Sequence, residues 1–209
     1  MRNTILDRAR SPLASFLISL LLIAVFTAIG PPEKALGTNV RVVYLHGAWV
    51  WSALAAFVAA GLVGAVALVT QRAKLHAWSR ALGRTGLFFW ITYLPISLWA
   101  MRANWNGLFL AEPRWRVAVV FAVAGVLLQS GLSLIEDPAW ASGFNFLYAL
   151  ALFTALHSTR QVMHPASPIL ESDAWRIQLF FTALLTLTLL AAWQVARWWH
   201  RFETLSTWH

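Results

Sequence analysis

Six apolar stretches, at about 12–30, 43–69, 84–101, 116–135, 143–161 and 177–198, divide the chain, and each is long enough for a helix across a hydrocarbon layer. Lipid offers no hydrogen bonds to a bare backbone, so segments of this kind must satisfy their own amides as helices. With 59% apolar and only 11% charged residues, the 209-residue chain lacks the polar surface of a water-soluble globule. The short connections leave no room for a soluble domain. The expectation is an all-α, polytopic membrane protein: one six-transmembrane-helix bundle over residues 1–209. The first apolar run follows Arg2, Arg8 and Arg10 and ends at Pro31-Pro32 without a small-residue cleavage site, so it reads as an uncleaved span.

Proline punctuates the runs, and Pro95 inside the third is expected to kink it. The net charge of +8 comes from residues scattered between apolar runs, with no basic stripe, which excludes a nucleic-acid surface. Nine of the 16 basic residues (Arg2, Arg8, Arg10, Arg72, Lys74, Arg80, Arg84, Arg197, Arg201) fall on the side of the termini. Seven (Lys34, Arg41, Arg102, Arg114, Arg116, Arg160, Arg176) fall on the other. The excess, concentrated in the N-terminal arm and the 70–84 connection, favours cytoplasmic N- and C-termini, as in a bacterial inner membrane. The absence of cysteine excludes disulfides, thiolate metal sites and covalent haem attachment. Neither a phosphate loop, a metalloprotease helix nor a serine nucleophile elbow is present.

An ionisable group inside a span is costly unless it is paired, wetted or ligated, and His46, in Tyr44-Leu45-His46-Gly47-Ala48-Trp49, stands just inside the second. The topology places His46, the 102–116 connection and the 157–176 connection on one membrane face. His157 and His164 lie in the last of these. Seven residues apart, they would stand about 10 Å apart along a continuous helix, too far to share one metal ion. Either could instead meet His46 across a haem iron, with Arg41, Arg114, Arg116, Arg160 and Arg176 available to propionates. The competing reading is that each histidine only hydrogen-bonds within the bundle or to interfacial water. His76, in a basic loop, and His200 and His209, in the tail, read as solvated. Many of the 13 tryptophans lie at span ends as an interfacial belt, although the cluster at 99–115 could form a ligand shelf.

Three local patterns, in order, resemble the membrane haem-handling proteins of cytochrome c maturation, the CcmC, CcmF and CcsA group, and most closely the short six-span CcmC type. Val43-Tyr44-Leu45-His46 resembles the family's approach to a ligand histidine. Ser97-Leu98-Trp99 through Trp105 to Glu112-Pro113-Arg114 resembles its tryptophan-rich external loop. His164-Pro165-Ala166-Ser167 resembles its second ligand segment. The loop departs from the family, with Asn106 to Ala111 where tryptophans are expected and Glu112 where aspartate is. The resemblance implies haem b held by His46 and His164, with His157 the alternate. Trp49, Trp99, Trp105, Phe109 and Trp115 would line the porphyrin face. The implied function is haem handling and presentation in cytochrome c assembly, with haem, the lipid bilayer and other membrane proteins of the assembly or of an electron-transfer complex as partners. Two other readings stay open: a haem-bearing or structural subunit of a larger electron-transfer complex, and a haem-free transporter subunit. Scarce intramembrane carboxylates weigh against the last. Gln129, Asn145, Gln178 and Gln194 could serve as interhelical hydrogen bonds instead.

Overall fold

The computed structural model describes residues 11–135, 137–160, 169 and 173–206. Its regular elements are six helices: α1 (Pro12–Ala28), α2 (Val40–Thr70), α3 (Ala73–Trp105), α4 (Pro113–Leu134), α5 (Pro138–Ser158) and α6 (Trp175–Ser206). Local chemistry sets their ends. Ser11 accepts from the Ala14 amide and Asp137 from the Ala139 amide, each just before a proline at the first helical position. Gln71 and Asn106 close α2 and α3 in the left-handed region, at φ 53° each.

Four helices are long and apolar enough to cross a membrane: α2, α4, α5 and the Trp175–Glu203 part of α6. The chain is thus an all-helical integral membrane protein. At 17 residues α1 is shorter. Although α3 has 33 residues, Thr85, Thr92, Tyr93, Pro95 and Ser97 dilute its apolar middle between Arg84 and Arg102. It remains helical through Pro95. The expected 70–84 loop is not there. Only Gln71 and Arg72 separate α2 from α3, and Lys74, His76, Arg80 and Arg84 are all helical. Their basic character had masked a helix with no glycine or proline between Ala73 and Leu82 to stop it.

The α2–α3 hairpin is the centre of the bundle, and each of its helices touches three others. Apolar helices gain little from leaving lipid for one another, so close packing and polar contacts must hold them. Aromatic rings interlock along the hairpin: Trp49 on Phe89 at 4.7 Å, Phe57 on Tyr148 of α5 at 4.9 Å, and Trp90 on Tyr93 at 5.1 Å. Their polar atoms are satisfied inside, with Trp49 Nε1 donating to Thr92 Oγ1 and Trp90 Nε1 to the Ala118 carbonyl of α4. On the other side α1 docks on α6 through Phe26 stacked on Phe180 at 4.7 Å.

Hydrogen bonds fix which helix ends lie together. Arg41 Nε and Tyr44 Oη of α2 donate to the Gly30 and Pro31 carbonyls after α1, and Asn39 Nδ2 donates to the Ala103 carbonyl of α3. Phe181 of α6 lies against Gly47. The end of α1, the start of α2, the end of α3 and the start of α6 therefore share the His46 end, and the α2–α3 turn marks the opposite, His76 end. At Gly64 a Cβ would stand 2.6 Å from the Ser142 carbonyl oxygen, whereas at Gly131 it would meet nothing within 4 Å. Gly64→Ala should cost about 1–3 kcal/mol, and Gly131→Ala should be neutral or stabilising by up to about 1 kcal/mol. Thermal unfolding in detergent checks the contrast.

Candidate functional site

His46 lies in the second turn of α2, half-buried, with its ring 5.4 Å from that of Tyr93 of α3 at 44°. Tyr93 is buried in turn. Arg114 stands in the first turn of α4. The Arg114 Nε is buried and has no acceptor among the described residues. Glu112, the residue before α4, is 8% exposed, and its Oε2 likewise has no donor. Asn104 Oδ1, at the end of α3, is a third buried atom in that condition. Since buried polar atoms are normally satisfied, this end of the bundle is built with unspent hydrogen-bonding capacity of both signs.

The other expected site residues are less gathered. His157 is exposed on the last turn of α5. His164 lies outside the described residues. Ile169, five residues further on, has its Cδ1 4.0 Å from where a Cβ at Gly47 would stand. The chain after His164 thus returns to the neighbour of His46. Trp49 is a core residue, 7% exposed and occupied by Phe89 and Thr92, because its place in the helix turns it into the α2–α3 seam. Trp99 is 59% exposed, Phe109 is exposed at the α3–α4 turn, and Trp105 and Trp115 are half-buried. Arg41 is engaged by the Gly30 carbonyl and Arg176 lies 5.6 Å from the Trp175 ring, while Arg116 and Arg160 are exposed. Beside this end, outside the spans, the Leu36 and Ala35 amides hold the Glu33 carboxyl below its ordinary range. Their support of the turn is complete above that range and is lost as pH falls through the lowered value.

The His76 end holds polar chemistry that sequence reasoning missed. His76 is not solvated: it is 4% exposed, with Nδ1 2.7 Å from Ser142 Oγ of α5. His200 is not a free tail residue either, because its ring stacks on Trp78 at 4.0 Å, and Trp78 also stacks on Trp193 at 5.1 Å. Glu203, 7% exposed, receives Arg80 Nη1 at 3.1 Å and Arg84 Nη1 at closer range, and Arg84 also lies over Trp199. The available signal was the i, i+4, i+8 spacing of His76, Arg80 and Arg84, one helix face turned inward. Every one of these contacts joins α3 to α5 or α6, so this cluster reads as a clasp. The expected amide bonds are partly realised: Gln129 Nε2 donates to Asn145 Oδ1 at 3.0 Å.

No protein-family model, curated protein or solved structure matches this chain. The site must therefore be judged on its own geometry.

Glu203→Gln should loosen α6 from α3 by on the order of 1–3 kcal/mol. That is less than a fully buried pair would lose, since the Arg80 and Arg84 side chains keep 18% and 23% of their area exposed. A lowered melting temperature in detergent checks the clasp.

Proposed function

We propose that the His46 end binds haem b through His46 and His164, and that the chain handles and presents haem in cytochrome c assembly without itself breaking a bond. The observation that carries this reading is the placement of His46. It is half-buried at a bundle end against Tyr93, and Ile169, five residues after His164, reaches its neighbour Gly47. The Arg114 Nε, buried without an acceptor among the described residues, supports the fit, because a guanidinium N–H suits a carboxylate such as a propionate. A bound haem would supply an iron with two open axial positions.

The chain's own residues do the rest. Tyr93 backs the His46 ring at 5.4 Å. Arg114 supplies directed positive charge from a helix that also anchors Trp90. Trp105 and Trp115, half-buried on either side of the α3–α4 turn, offer apolar cover. In this reading α1 and α3 also cross the bilayer, giving six spans with cytoplasmic termini in a bacterial inner membrane. At 1.5 Å per residue they are about 26 and 50 Å long, enough to reach across or nearly across the hydrocarbon core.

A second reading, a subunit that retains haem within a larger electron-transfer complex, draws on the bareness of the α3–α4 turn. Leu108, Phe109 and Leu110 are about half exposed there and form no aromatic shelf for handover. Haem competition separates the two: a handler releases haem to an apo-acceptor, and a retaining subunit does not.

In detergent, the purified chain should give sharp low-spin bands on dithionite reduction. His46→Ala and His164→Ala should each abolish or shift them, while His157→Ala should not. Loss of the bands in His157→Ala alone would overturn the ligand pair, and their absence from haem-reconstituted wild-type protein would overturn haem binding.

A further inference from the structure

Glu203, near the end of α6, accepts from Arg80 Nη1 at 3.1 Å and from Arg84 Nη1 at closer range. One carboxylate thus serves two guanidinium groups that stand about one turn apart on α3. Arginine stays charged in any protein setting, so the trio keeps one positive charge uncompensated. Among the described residues no second carboxylate reaches it. The other described acid of this end is Asp137, while Asp7 and Glu136 lie outside the described residues. His76 pairs with Ser142 and Asn145 Nδ2 with the Ser79 carbonyl, at a constant separation of 66 residues. That register sets Asp137 level with Gln71, about 13 Å along α3 from Arg80. His76 and His200 are taken up by Ser142 and the Trp78 ring, and Arg72, Lys74, Arg197 and Arg201 add only further positive charge.

Hydrogen-bond donors are in excess in the same corner. Each guanidinium spends one Nη1 on Glu203, and both side chains remain partly exposed with N–H groups to spare. Trp199, one turn before Glu203, lies under Arg84 at 5.4 Å, and its Nε1 is buried with no acceptor among the described residues. Depth points to the source of an acceptor. From Trp175 to Glu203 the membrane-crossing part of α6 has 29 residues, about 43 Å at 1.5 Å per residue, the distance from one headgroup layer to the other. Glu203 and its two arginines therefore stand where lipid phosphates stand. On the next ridge of α6, Trp198 packs edge-on against Phe202 at 5.1 Å, and Phe202 is exposed, an apolar flank for a glycerol backbone.

We propose that Arg80 and Arg84 form a binding site for a phosphate group, supplied by the headgroup of an anionic phospholipid. Its oxygens accept from the spare N–H groups of both forks. A lipid of net negative charge matches the uncompensated cation, whereas phosphatidylcholine brings a cation of its own. Bound there, the lipid braces α6 against α3.

Native mass spectrometry of the full-length chain tests this with equimolar phosphatidylglycerol and phosphatidylcholine of identical acyl chains, and separately with inorganic phosphate. Phosphatidylglycerol should be retained over phosphatidylcholine by on the order of fivefold, about what one cation at a lipid surface supplies. Arg80→Gln and Arg84→Gln should each bring that ratio close to one. Arg102→Gln, which removes an exposed arginine of the opposite end, should leave it unchanged. Glu203→Gln separates an anion site from a purely internal clasp. It should melt lower without lipid, yet raise the ratio by about twofold, because the competing carboxylate is gone. Equal retention of the two lipids by the wild type, a fall in the ratio in Glu203→Gln, or an equal loss in Arg102→Gln would each overturn the site. Retention of inorganic phosphate in place of phosphatidylglycerol would overturn its assignment to lipid.

Discussion

The side-chain amide of Asn145 joins four helices, and the bundle's geometry depends on it. Projecting from α5, it donates to the carbonyl and hydroxyl of Ser79 on α3 and accepts from Gln129 on α4. Ser79 passes the connection on to the Ala60 carbonyl of α2. Room exists only because Gly83 has no side chain, since a Cβ there would stand 2.6 Å from Asn145 Oδ1. In lipid an unpaired amide is expensive and apolar contact is cheap to exchange. One satisfied polar junction can therefore select a single packing among many that are similarly greasy. The 66-residue register of α5 against α3 follows from it.

Polar chemistry marks both ends of the bundle. At the His76 end, Glu203 receives the Arg80 and Arg84 guanidinium groups and His200 stacks on Trp78, which clamps α6 onto α3, while Trp199 Nε1 is buried without a hydrogen-bond partner among the described residues. At the His46 end, Glu112, Arg114 and Asn104 keep buried atoms without partners among the described residues. Holding such atoms costs stability at each position.

Much of the helical outline was legible from apolar runs and prolines, because Pro12, Pro113 and Pro138 each open a helix, although Pro95 lies inside α3. The start of α3 was not legible. Lys74, Arg80 and Arg84 read as a loop when charge was taken as a mark of water. In the folded chain the stems of Arg80 and Arg84 cross the helix ends and their charges find Glu203, far along the sequence. The same long-range pairing hid His76, whose hydroxyl partner Ser142 has no sequence signature. Trp49 was misjudged for a related reason: an aromatic near a span end can face lipid, ligand or core, and only the partner helix, here through Phe89 and Thr92, settles which.

Composition and apolar periodicity alone determined that this chain is a helical membrane protein and that His46 stands near a bundle end, because lipid admits few alternatives to a helix and penalises ionisable groups heavily. Tertiary structure decided which polar groups meet. The Glu203 clasp, the Asn145 junction and the pairing of His46 with Tyr93 all join residues whose distance in sequence carries no information about their distance in space. Helix register, set by glycine gaps and a few amide bonds, supplies that information.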